Sequence, residues 1–384
     1  MVSSLWPPAV LGGAEAYAAA LSARLRRLGH DVGVVTFGVP GPDVVGEVRP
    51  WPYRLDEYAD ASAHRRALFH LLDVYRPATA GAVDRAIRDF EPDVVHSHAV
   101  AGMSSTVLAE PSRRGVGHVH TLHDYWLLCQ RSTLVSRDGG ACEHRCRSCT
   151  AISAVRNRIV ARHCPDVVLA VSRAVAARHE RIEWAASRIR VVHHPVERIE
   201  RQPRVATTDA PVFGFLGRLV REKGAATLVK AFSVAPLPAT ARLVVAGDGP
   251  ERDALARAAG PRVELVGQLD ENARERFFAR VDGLVVPSEW EEPAGLVVNE
   301  ARARGIPVIG ARAGGIPELI SPACERLLFS PGDVSELASR LVVLAENPSA
   351  YSRDDGVGLV DWPTHLDRVI EAYDDAQRLA ESRT

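Results

Sequence analysis

Two glutamates, Glu292 and Glu300, have seven residues between them where an apolar stretch gives way to a predicted helix. The spacing predicts that Glu292 lies in a turn and that Glu300 lies two turns along the helix, since an α-helix has about 3.6 residues per turn. Carboxylates accept hydrogen bonds from hydroxyl groups, so the pair could hold a polyhydroxyl ligand at the mouth of a sheet. A capped, solvated helix start is the alternative explanation of this pattern.

A loop with two cations follows a predicted strand at 212–216. Arg218 and Lys223 are five residues apart and are flanked by Gly217 and Gly224. A guanidinium fork and an ammonium group together suit a diphosphate, and glycines let a ligand approach the backbone closely. We therefore expect a diphosphate site in this loop, with a structural ion pair as the alternative.

Two further glycines, Gly12 and Gly13, directly precede the first predicted helix. Free backbone N–H groups at a helix start favour an anionic or polar ligand, although a Gly-Gly pair is also an ordinary turn. No Gly-x-Gly-x-x-Gly motif follows a strand with an acidic residue about 20 residues later, which argues against an NAD site.

Histidines cluster near the carboxyl ends of two predicted strands in the first half of the chain, namely His96, His98, His120 and His123. Ligands of parallel α/β sheets bind outside these strand ends, so we expect the cluster to face the same cleft as Glu292. The run from His123 through Asp124, Tyr125 and Trp126 favours a functional role most, because an imidazole beside a carboxylate and aromatic rings can hold a hydroxyl group. A buried structural role is at least as good an interpretation of His96 and His98.

Length and charge limit the function. The 384 residues suffice for two domains with a cleft between them, and a net charge of -1 gives no reason to expect a nucleic-acid partner. No apolar run approaches 18 residues and no signal peptide is recognisable, so we predict a cytoplasmic protein. The arginine-rich runs at 24–27 and 156–162 could contact an anionic membrane peripherally, but a solvated helix face is the favoured interpretation.

Strand and helix patterns alternate along the whole chain. Continuous apolar runs separated by helical patterns indicate parallel sheets covered on both faces, hence an α/β protein with two doubly wound domains. The first helix, with Tyr17, Leu21, Leu25 and Leu28 at helical spacing, is predicted to end at Gly29. The first strand before it is either very short or absent from the beginning of the sequence. The predicted strands are 32–37, 93–96, 116–122, 167–171 and 190–193 in the first domain, and 212–216, 243–246, 263–266, 283–287 and 307–309 in the second.

The same pattern predicts the domain boundaries. The first domain covers 1–196, a polar linker covers 197–210, and the second domain covers 211–355. A helical tail at 356–384 could pack on either domain.

Four cysteines, Cys129, Cys142, Cys146 and Cys149, fall within 21 residues, whereas Cys164 and Cys324 stand apart. In a cytoplasmic chain this loop at 129–149 could form a structural zinc knuckle, with His144 as a substitute ligand. Free or redox-paired thiols are the alternative. A metal knuckle here would shape the loop that follows Trp126.

Taken in order, six motifs resemble the retaining glycosyltransferases of the GT4 family over nearly the whole chain. The resemblance implies the GT-B fold, in which two Rossmann-like domains face each other across a cleft and the C-terminal one holds most of a nucleotide-sugar. The motifs are Gly12-Gly13-Ala14-Glu15, Thr121-Leu122-His123-Asp124, Gly217-Arg218-Leu219 with Lys223-Gly224, Gly247-Asp248-Gly249-Pro250, the pair Glu292 and Glu300, and Gly314-Gly315-Ile316-Pro317-Glu318.

The resemblance also implies roles for individual residues. The catalytic set would be His123 near the anomeric carbon, Glu292 at the sugar hydroxyls, and Arg218 and Lys223 at the diphosphate. The remaining donor contacts would be Glu300 at the ribose, the amides of Gly295, Leu296 and Val297 and Gly13 near the phosphates, and Gly267 and Gln268 beside the base. The acceptor side, in the first domain, would contain Glu15, Asp124, Tyr125 and Trp126.

Two departures from the family pattern stand out. Ala294 replaces the usual phenylalanine and could reshape the sugar pocket, and the run from His194 to Glu197 replaces a common Asn-Gly-Val-Asp before the linker. The resemblance implies a nucleotide-sugar donor, a hydroxyl acceptor and no catalytic metal, since cationic side chains already stabilise the leaving group. A GT-B nucleotide-sugar epimerase and a non-catalytic nucleotide-sugar or glycan-binding protein are the alternatives. The sugar, the nucleotide and the acceptor are not fixed by the sequence.

Overall fold

A computed structural model describes residues 1–9, 12–37, 41, 43–48, 61–136, 140–142, 146–197, 210–351 and 358–383. The chain forms two compact units. Unit 1 comprises Met1–Leu134, Glu143–His193 and His365–Thr384, and unit 2 comprises Val135–Cys142 and His194–Thr364. Most of the predicted linker, 198–209, lies outside the described residues.

Unit 1 is a parallel α/β unit. Strands β3, β4, β5 and β6 pair in that order, and β1 pairs with β2, all in parallel. The helices are α1 Gly13–Arg27, α2 Ala63–Leu72, α3 Pro77–Phe90, α4 Thr106–Arg113, α5 Arg147–Val160, α6 Arg173–His179, α7 Glu183–Ala186 and α14 Trp362–Glu381. The strands are β1 Val34–Phe37, β2 Val44–Val48, β3 Val94–Ser97, β4 Gly117–Leu122, β5 Val167–Ala170 and β6 Ile189–Val191.

A very short strand at the beginning of the sequence joins the two groups of strands. Val2 forms parallel bridges to both Val35 and Ser97. Its N–H donates to the His96 carbonyl at 2.9 Å, and its carbonyl accepts from the His98 N–H at 2.9 Å. This segment is therefore a very short strand, which was one of the two alternatives that the sequence left open.

The first helix, α1, buries one face and ends close to where the sequence predicts. Tyr17, Leu21 and Leu25 are buried, whereas Leu28, the residue that caps the end of the helix, is 57% exposed. Gly29 follows the helix with φ of 93°, a left-handed conformation that glycine adopts without steric cost.

The C-terminal helix α14 belongs to unit 1. Its buried stripe contains small residues, Ala372, Ala376 and Ala380, because the helix backbone lies against β4. A Cβ atom at Gly117 would lie 2.9 Å from the Ala376 carbonyl carbon. Tyr373 adds a hydrogen bond of 2.8 Å to His96 Nδ1.

Unit 2 is a six-stranded parallel sheet in the order β12-β11-β10-β7-β8-β9. Its interior is apolar and contains the aromatic pair Phe213 and Phe232. The strands are β7 Val212–Leu216, β8 Arg242–Ala246, β9 Val263–Gly267, β10 Gly283–Val286, β11 Val308–Ala311 and β12 Leu328–Phe329. The helices are α8 Ala225–Val234, α9 Arg252–Ala258, α10 Glu271–Arg280, α11 Leu296–Ala303, α12 Val334–Glu346 and α13 Pro348–Tyr351.

The predicted α/β class and parallel sheets are confirmed. All ten predicted strands are present within a few residues of their predicted ends, and β2 and β12 are the strands that the sequence patterns did not indicate. In β2 only Val48 is buried and the four residues before it alternate between half-buried and exposed, and β12 has only two residues, so neither gives a continuous apolar run.

One arginine of the predicted solvated face is in the core. Arg156 on α5 is fully buried and its guanidinium donates to the Asp73 carboxylate at 2.5 Å. The interpretation of 156–162 as a uniformly solvated or membrane-facing surface was therefore wrong at this residue. Among the described residues, none of the helices is both long enough and apolar enough to span a membrane.

Candidate functional site

In unit 2, the loops at the carboxyl ends of the strands converge on one carboxylate, Glu292. Its Oε2 accepts hydrogen bonds from Lys223 Nζ at 2.6 Å, Trp290 Nε1 at 3.0 Å and Ser288 Oγ at 3.1 Å. None of the hydrogen bonds that the described residues make reaches Oε1. The carboxylate is therefore held by one oxygen, and the other oxygen has its acceptor capacity left for a ligand.

Close backbone packing fixes the loop that carries Glu292. Gly314 has φ of 56°, and a Cβ atom there would lie 2.2 Å from the Glu292 carbonyl oxygen. The N–H of Gly315 donates to the same carbonyl at 2.7 Å. A larger residue at Gly314 would displace the Glu292 backbone, which explains why this position of the motif requires glycine.

The cation loop is packed against the same edge of the sheet. Lys223 ends a short 3-10 turn, and Gly224 follows it with φ of 70° and a position where a Cβ atom would lie 1.9 Å from the Pro287 carbonyl oxygen. Glu289 N–H donates to the Glu222 carbonyl at 2.8 Å. The two loops thus hold Lys223 beside Glu292, and these two residues of the predicted site lie together in the structure.

Arg218 lies in the same loop, and its side chain is exposed. Lys223 is 21% exposed at its side chain. An exposed guanidinium and a half-buried ammonium at one strand end can both reach an anionic ligand. A purely structural ion pair would involve only Lys223 and Glu292 and would leave Arg218 without a role.

Glu300 lies on α11, about one turn from the first helical residue Leu296, whereas the sequence predicted two turns, because the helix begins later than expected. Its Oε2 accepts from Arg274 Nε at 2.9 Å and also from the Arg274 terminal nitrogen, and its side chain is 31% exposed. As with Glu292, the hydrogen bonds of the described residues go to one oxygen. Arg274, on α10, was not among the predicted site residues. Only its hydrogen bonds to Glu300 in the structure identify it as part of the candidate site.

The start of α11 provides further polar groups. Gly295 is the residue before the helix and has φ of 56°, and Leu296 and Val297 are the first helical residues. Their N–H groups belong to the first turn, where amides have no partner within the helix. Ala294 precedes them and is half-buried.

Gly267 and Gln268 lie at the end of β9, two strands from β7. Gly267 accepts a hydrogen bond of 2.7 Å from the Gly247 N–H, and Gln268 is exposed. They are at the same edge of the sheet as Arg218, so they can contact a long ligand that extends along this edge.

In unit 1, His123 follows β4 and lies in a group of aromatic side chains. His98 Nδ1 and His123 Nε2 are 3.2 Å apart, and the Tyr17 ring centroid lies 5.4 Å from that of His123. A cavity of about 10 Å³, roughly the size that one water molecule needs, is lined by His98, His120, His123, Asp124 and Trp126 among others. The two predicted strand ends thus do bring these histidines together.

Five other histidines are buried and hydrogen-bonded within unit 1, namely His96, His118, His120, His179 and His365. Burial lowers the pKa of His120 to about 3 and that of His365 to about 4, and it also lowers the pKa of His96. His365 Nδ1 donates to the His193 carbonyl at 3.0 Å, so its Nε2 accepts from the Tyr17 hydroxyl at 2.7 Å. The interpretation of His96 and His98 as buried side chains is confirmed.

The residues beside His123 divide into two kinds. Asp124 accepts from the Trp126 N–H at 2.7 Å, and burial raises its pKa to about 6, with the negative charge of Glu15 adding to the effect. Tyr125 is fully buried and stacks on His179, with ring centroids 6.0 Å apart. Tyr125 therefore supports the core of unit 1.

Trp126 takes part in a buried network that the sequence did not reveal. Its Nε1 donates to Asp73 Oδ2 at 2.6 Å, and its carbonyl accepts from Arg156 at 2.6 Å. The Arg156 guanidinium carbon lies 4.4 Å from the centroid of the indole ring. The network fixes the segment that follows His123 and Asp124.

Gly13 and Glu15 begin α1. The Glu15 carboxylate accepts from the Gly12 N–H at 2.9 Å, so it caps the helix start, and Glu15 is buried. Gly13 is the first helical residue and is half-buried.

The predicted zinc knuckle stays a prediction. Cys129 is buried, Cys142 and Cys149 are half-buried and Cys146 is exposed, and no disulfide joins them among the described residues. The part of the chain that the structure describes contains no group of three or more His, Cys, Asp or Glu residues able to hold a metal, and His144 lies outside that part. Cys146 instead precedes α5, where its sulfur accepts from the Cys149 N–H at 3.5 Å.

Two family models match the chain. One, described as glycosyltransferase family 4, matches residues 11–198, and the other, described as glycosyl transferases group 1, matches residues 210–347.

Two relatives align over most of the sequence. The chain is 28% identical over 333 residues to an uncharacterized 42.6 kDa protein in the cps region of Klebsiella pneumoniae, covering 83% of this chain and 86% of the relative. It is 26% identical over 433 residues to glycogen synthase of Mycobacterium tuberculosis, covering 98% and 94%.

Solved structures are similar over nearly the whole chain. Sucrose-phosphate synthase of Thermosynechococcus elongatus superposes with a TM-score of 0.73 at 22% identity, covering 97% of each chain. HepE of Anabaena, in complex with UDP and glucose, gives a TM-score of 0.69 at 18% identity, covering 97% of this chain and 98% of that one. Both have the GT-B fold with two Rossmann-like domains, so the predicted fold is confirmed.

Proposed function

This chain belongs to the GT4-like glycosyltransferases with the GT-B fold, and on that basis we propose that it transfers a sugar from a nucleoside-diphosphate sugar to an acceptor hydroxyl with retention of the anomeric configuration. The observation that carries the proposal is the arrangement around Glu292. One carboxylate oxygen is held by three donors while the other is left for a sugar hydroxyl, and a cation loop lies directly beside it.

The diphosphate would bind at the cation loop. Cleavage of a sugar-phosphate bond builds positive charge on the anomeric carbon and negative charge on the departing diphosphate. Arg218 and Lys223 would stabilise the leaving group, helped by the amides of Gly295, Leu296 and Val297 at the start of α11. These groups need no metal ion for that purpose.

The two carboxylates would orient the two ends of the donor. Glu292 Oε1 would accept from hydroxyl groups of the transferred sugar, and Glu300 Oε1 would accept from the ribose while Arg274 holds Oε2. Gly267 and Gln268 would border the base. In this arrangement the carboxylates position the donor, and the cations carry the charge stabilisation.

Unit 1 would supply the remaining groups. We assign His123 to the sugar near the anomeric carbon and Gly13 to the phosphates. Glu15 and Asp124 are polar candidates for acceptor contacts, with Trp126 in a supporting role because its N–H already donates to Asp73. The burial of Tyr125 makes a direct acceptor contact through its side chain the weakest of these assignments.

The test begins with the donor. UDP-, GDP- and dTDP-sugars are screened for thermal stabilisation, because a ligand bound only by the folded state raises its melting temperature. Lys223→Met and Glu292→Gln are then assayed with the most stabilising donor for release of the nucleoside diphosphate. Lys230→Met, which removes an exposed cation from α8, is the matched control.

We expect Lys223→Met and Glu292→Gln each to lower kcat/KM about 100-fold or more, in line with the loss of a charged contact in a preorganised site. Lys230→Met should keep the wild-type rate. Wild-type rates for both site variants would refute the assigned site. An altered sugar nucleotide accumulating without any acceptor would identify an epimerase instead.

A further inference from the structure

Trp290 lies beside the ion pair that Lys223 and Glu292 form in the proposed site. It is 7% exposed, and its Nε1 donates to Glu292 Oε2 at 3.0 Å. Lys223 Nζ lies 5.4 Å from the centroid of its ring. The same side chain therefore contacts both the carboxylate and the cation that pairs with it.

The three donors on Glu292 Oε2 differ in what they can do when a donor substrate binds. Lys223 is a flexible cation, and a diphosphate competes for its ammonium group. Ser288 has a hydroxyl that rotates, so it can change partner. The indole N–H of Trp290 is a donor only, and a buried ring with two side-chain torsions has one orientation.

The backbone around Trp290 is anchored on both sides. Glu289 N–H donates to the Glu222 carbonyl at 2.8 Å, and the Glu292 carbonyl accepts from the Gly315 N–H at 2.7 Å. These bonds hold the loop independently of the indole. Loss of the indole N–H should therefore affect the orientation of the carboxylate rather than the fold of the loop.

From this geometry we propose that Trp290 is a positioning residue that fixes the Glu292 carboxylate, so that Oε1 keeps its orientation toward the sugar hydroxyls when Lys223 turns to the diphosphate. This inference rests on the proposed function, since it concerns the same site. It predicts that Trp290 acts on sugar discrimination and turnover and has little influence on nucleotide affinity.

The chain offers a matched pair of tryptophans for the experiment. Trp184 in unit 1 is also 7% exposed, and its Nε1 donates to Asn157 Oδ1 at 3.0 Å. Trp290→Phe and Trp184→Phe both keep an aromatic ring and remove one N–H donor of the same geometry. They differ in whether the acceptor is the carboxylate of the proposed site.

Turnover is measured with two donors that differ at one sugar hydroxyl, UDP-glucose and UDP-galactose, or GDP-mannose and GDP-glucose if guanosine donors give the larger thermal shift. We expect Trp290→Phe to lower kcat about tenfold and to reduce the ratio of kcat/KM between the two epimers about fivefold. The reason is that a misplaced carboxylate forms a weaker hydrogen bond with the hydroxyl that distinguishes the preferred sugar. Thermal stabilisation by UDP or GDP alone should stay at the wild-type value. Trp184→Phe should change none of these three quantities.

Ser288→Ala provides a second variant should Trp290→Phe fold poorly, and we expect a kcat loss of about threefold with the same drop in epimer ratio. The inference is overturned if Trp290→Phe and Ser288→Ala match Trp184→Phe in kcat and in epimer ratio while Glu292→Gln is impaired. Wild-type activity of Glu292→Gln and Lys223→Met would mean instead that the proposed function of the whole site has failed.

Discussion

The two units share a parallel α/β architecture but place their polar groups differently. Of the 14 histidines in the chain, His194 is the only one in the segments assigned to unit 2. Unit 1 has neutral imidazoles in its interior, whereas the charged residues of the proposed site in unit 2, Arg218, Lys223 and Glu292, lie in loops at the strand ends. One topology can therefore use polar residues for hydrogen bonding in its interior or place them at the strand ends, where ligands of parallel α/β sheets bind.

The largest expected effect is a difference in acid stability between the units. His120, His179 and His365 have folded pKa values of about 3, 4 and 4, below the ordinary value of 6.5. The unfolded chain therefore binds protons that the folded unit excludes, and stability is lost as the pH falls from about 6.5 to about 4. At pH 5 each histidine should cost about 2 kcal/mol, or about 6 kcal/mol together.

Hydrogen exchange measured by peptide at pH 7 and pH 5, corrected for intrinsic rates, separates the units. Protection of β4 in unit 1 should fall at pH 5, while protection of β7 in unit 2 should persist. Earlier loss of protection in β7 would contradict the comparison.

The next largest effect concerns the buried ion pair of unit 1. Asp73→Ala should lower the free energy of unfolding by about 3 to 5 kcal/mol, because it leaves the fully buried Arg156 without its counter-charge. Glu264→Ala is the control in unit 2, since its pair with Arg280 is about half exposed and should contribute under about 1 kcal/mol. Urea unfolding measures both. Equal losses for the two variants would show that burial does not determine how much each ion pair contributes to the free energy of unfolding.

Gly314→Ala tests the close packing in unit 2. The added Cβ atom would lie 2.2 Å from the Glu292 carbonyl oxygen, so we expect a displaced loop and a loss of turnover of about 100-fold. Gly332 also has a positive φ, 77°, but nothing lies within 4 Å of an added Cβ atom. Gly332→Ala should therefore keep the wild-type rate and lose only about 1 kcal/mol of stability. A turnover rate for Gly314→Ala within twofold of that for Gly332→Ala would contradict the idea that close packing at Gly314 positions the Glu292 loop.

Asp124→Asn has the smallest expected effect and should stabilise the protein. The folded pKa of about 6 lies above the ordinary 3.8, so the stability that the protonated acid contributes is present below pH 3.8 and is lost as the pH rises through 6. A neutral amide avoids this loss and can still accept from the Trp126 N–H. We expect a gain of about 2 kcal/mol at pH 7.5 and none at pH 4, measured by thermal unfolding at both values. A gain of equal size at pH 4 would exclude titration as the cause.

The local patterns predicted most of the fold. Continuous apolar strands such as Val212–Leu216 were recognised because burial on both faces leaves a strong signal in the sequence. The strand Val44–Val48 was missed because only its last residue is buried, so the sequence carries no continuous apolar run and the pairing with β1 depends on tertiary contacts. The burial of Arg156 was missed for a related reason: a charged side chain gives no sign of burial in the sequence until its partners are known.

By itself, the sequence determined the two parallel α/β units, the family resemblance and the identity of the charged residues, because apolar periodicity and short motifs are local properties of the chain. The tertiary structure alone decided which oxygen of Glu292 is held and that Trp290 and Ser288 help to hold it. Those facts depend on distances between residues far apart in sequence or on opposite sides of a turn. Such distances are set by packing, which no local pattern encodes.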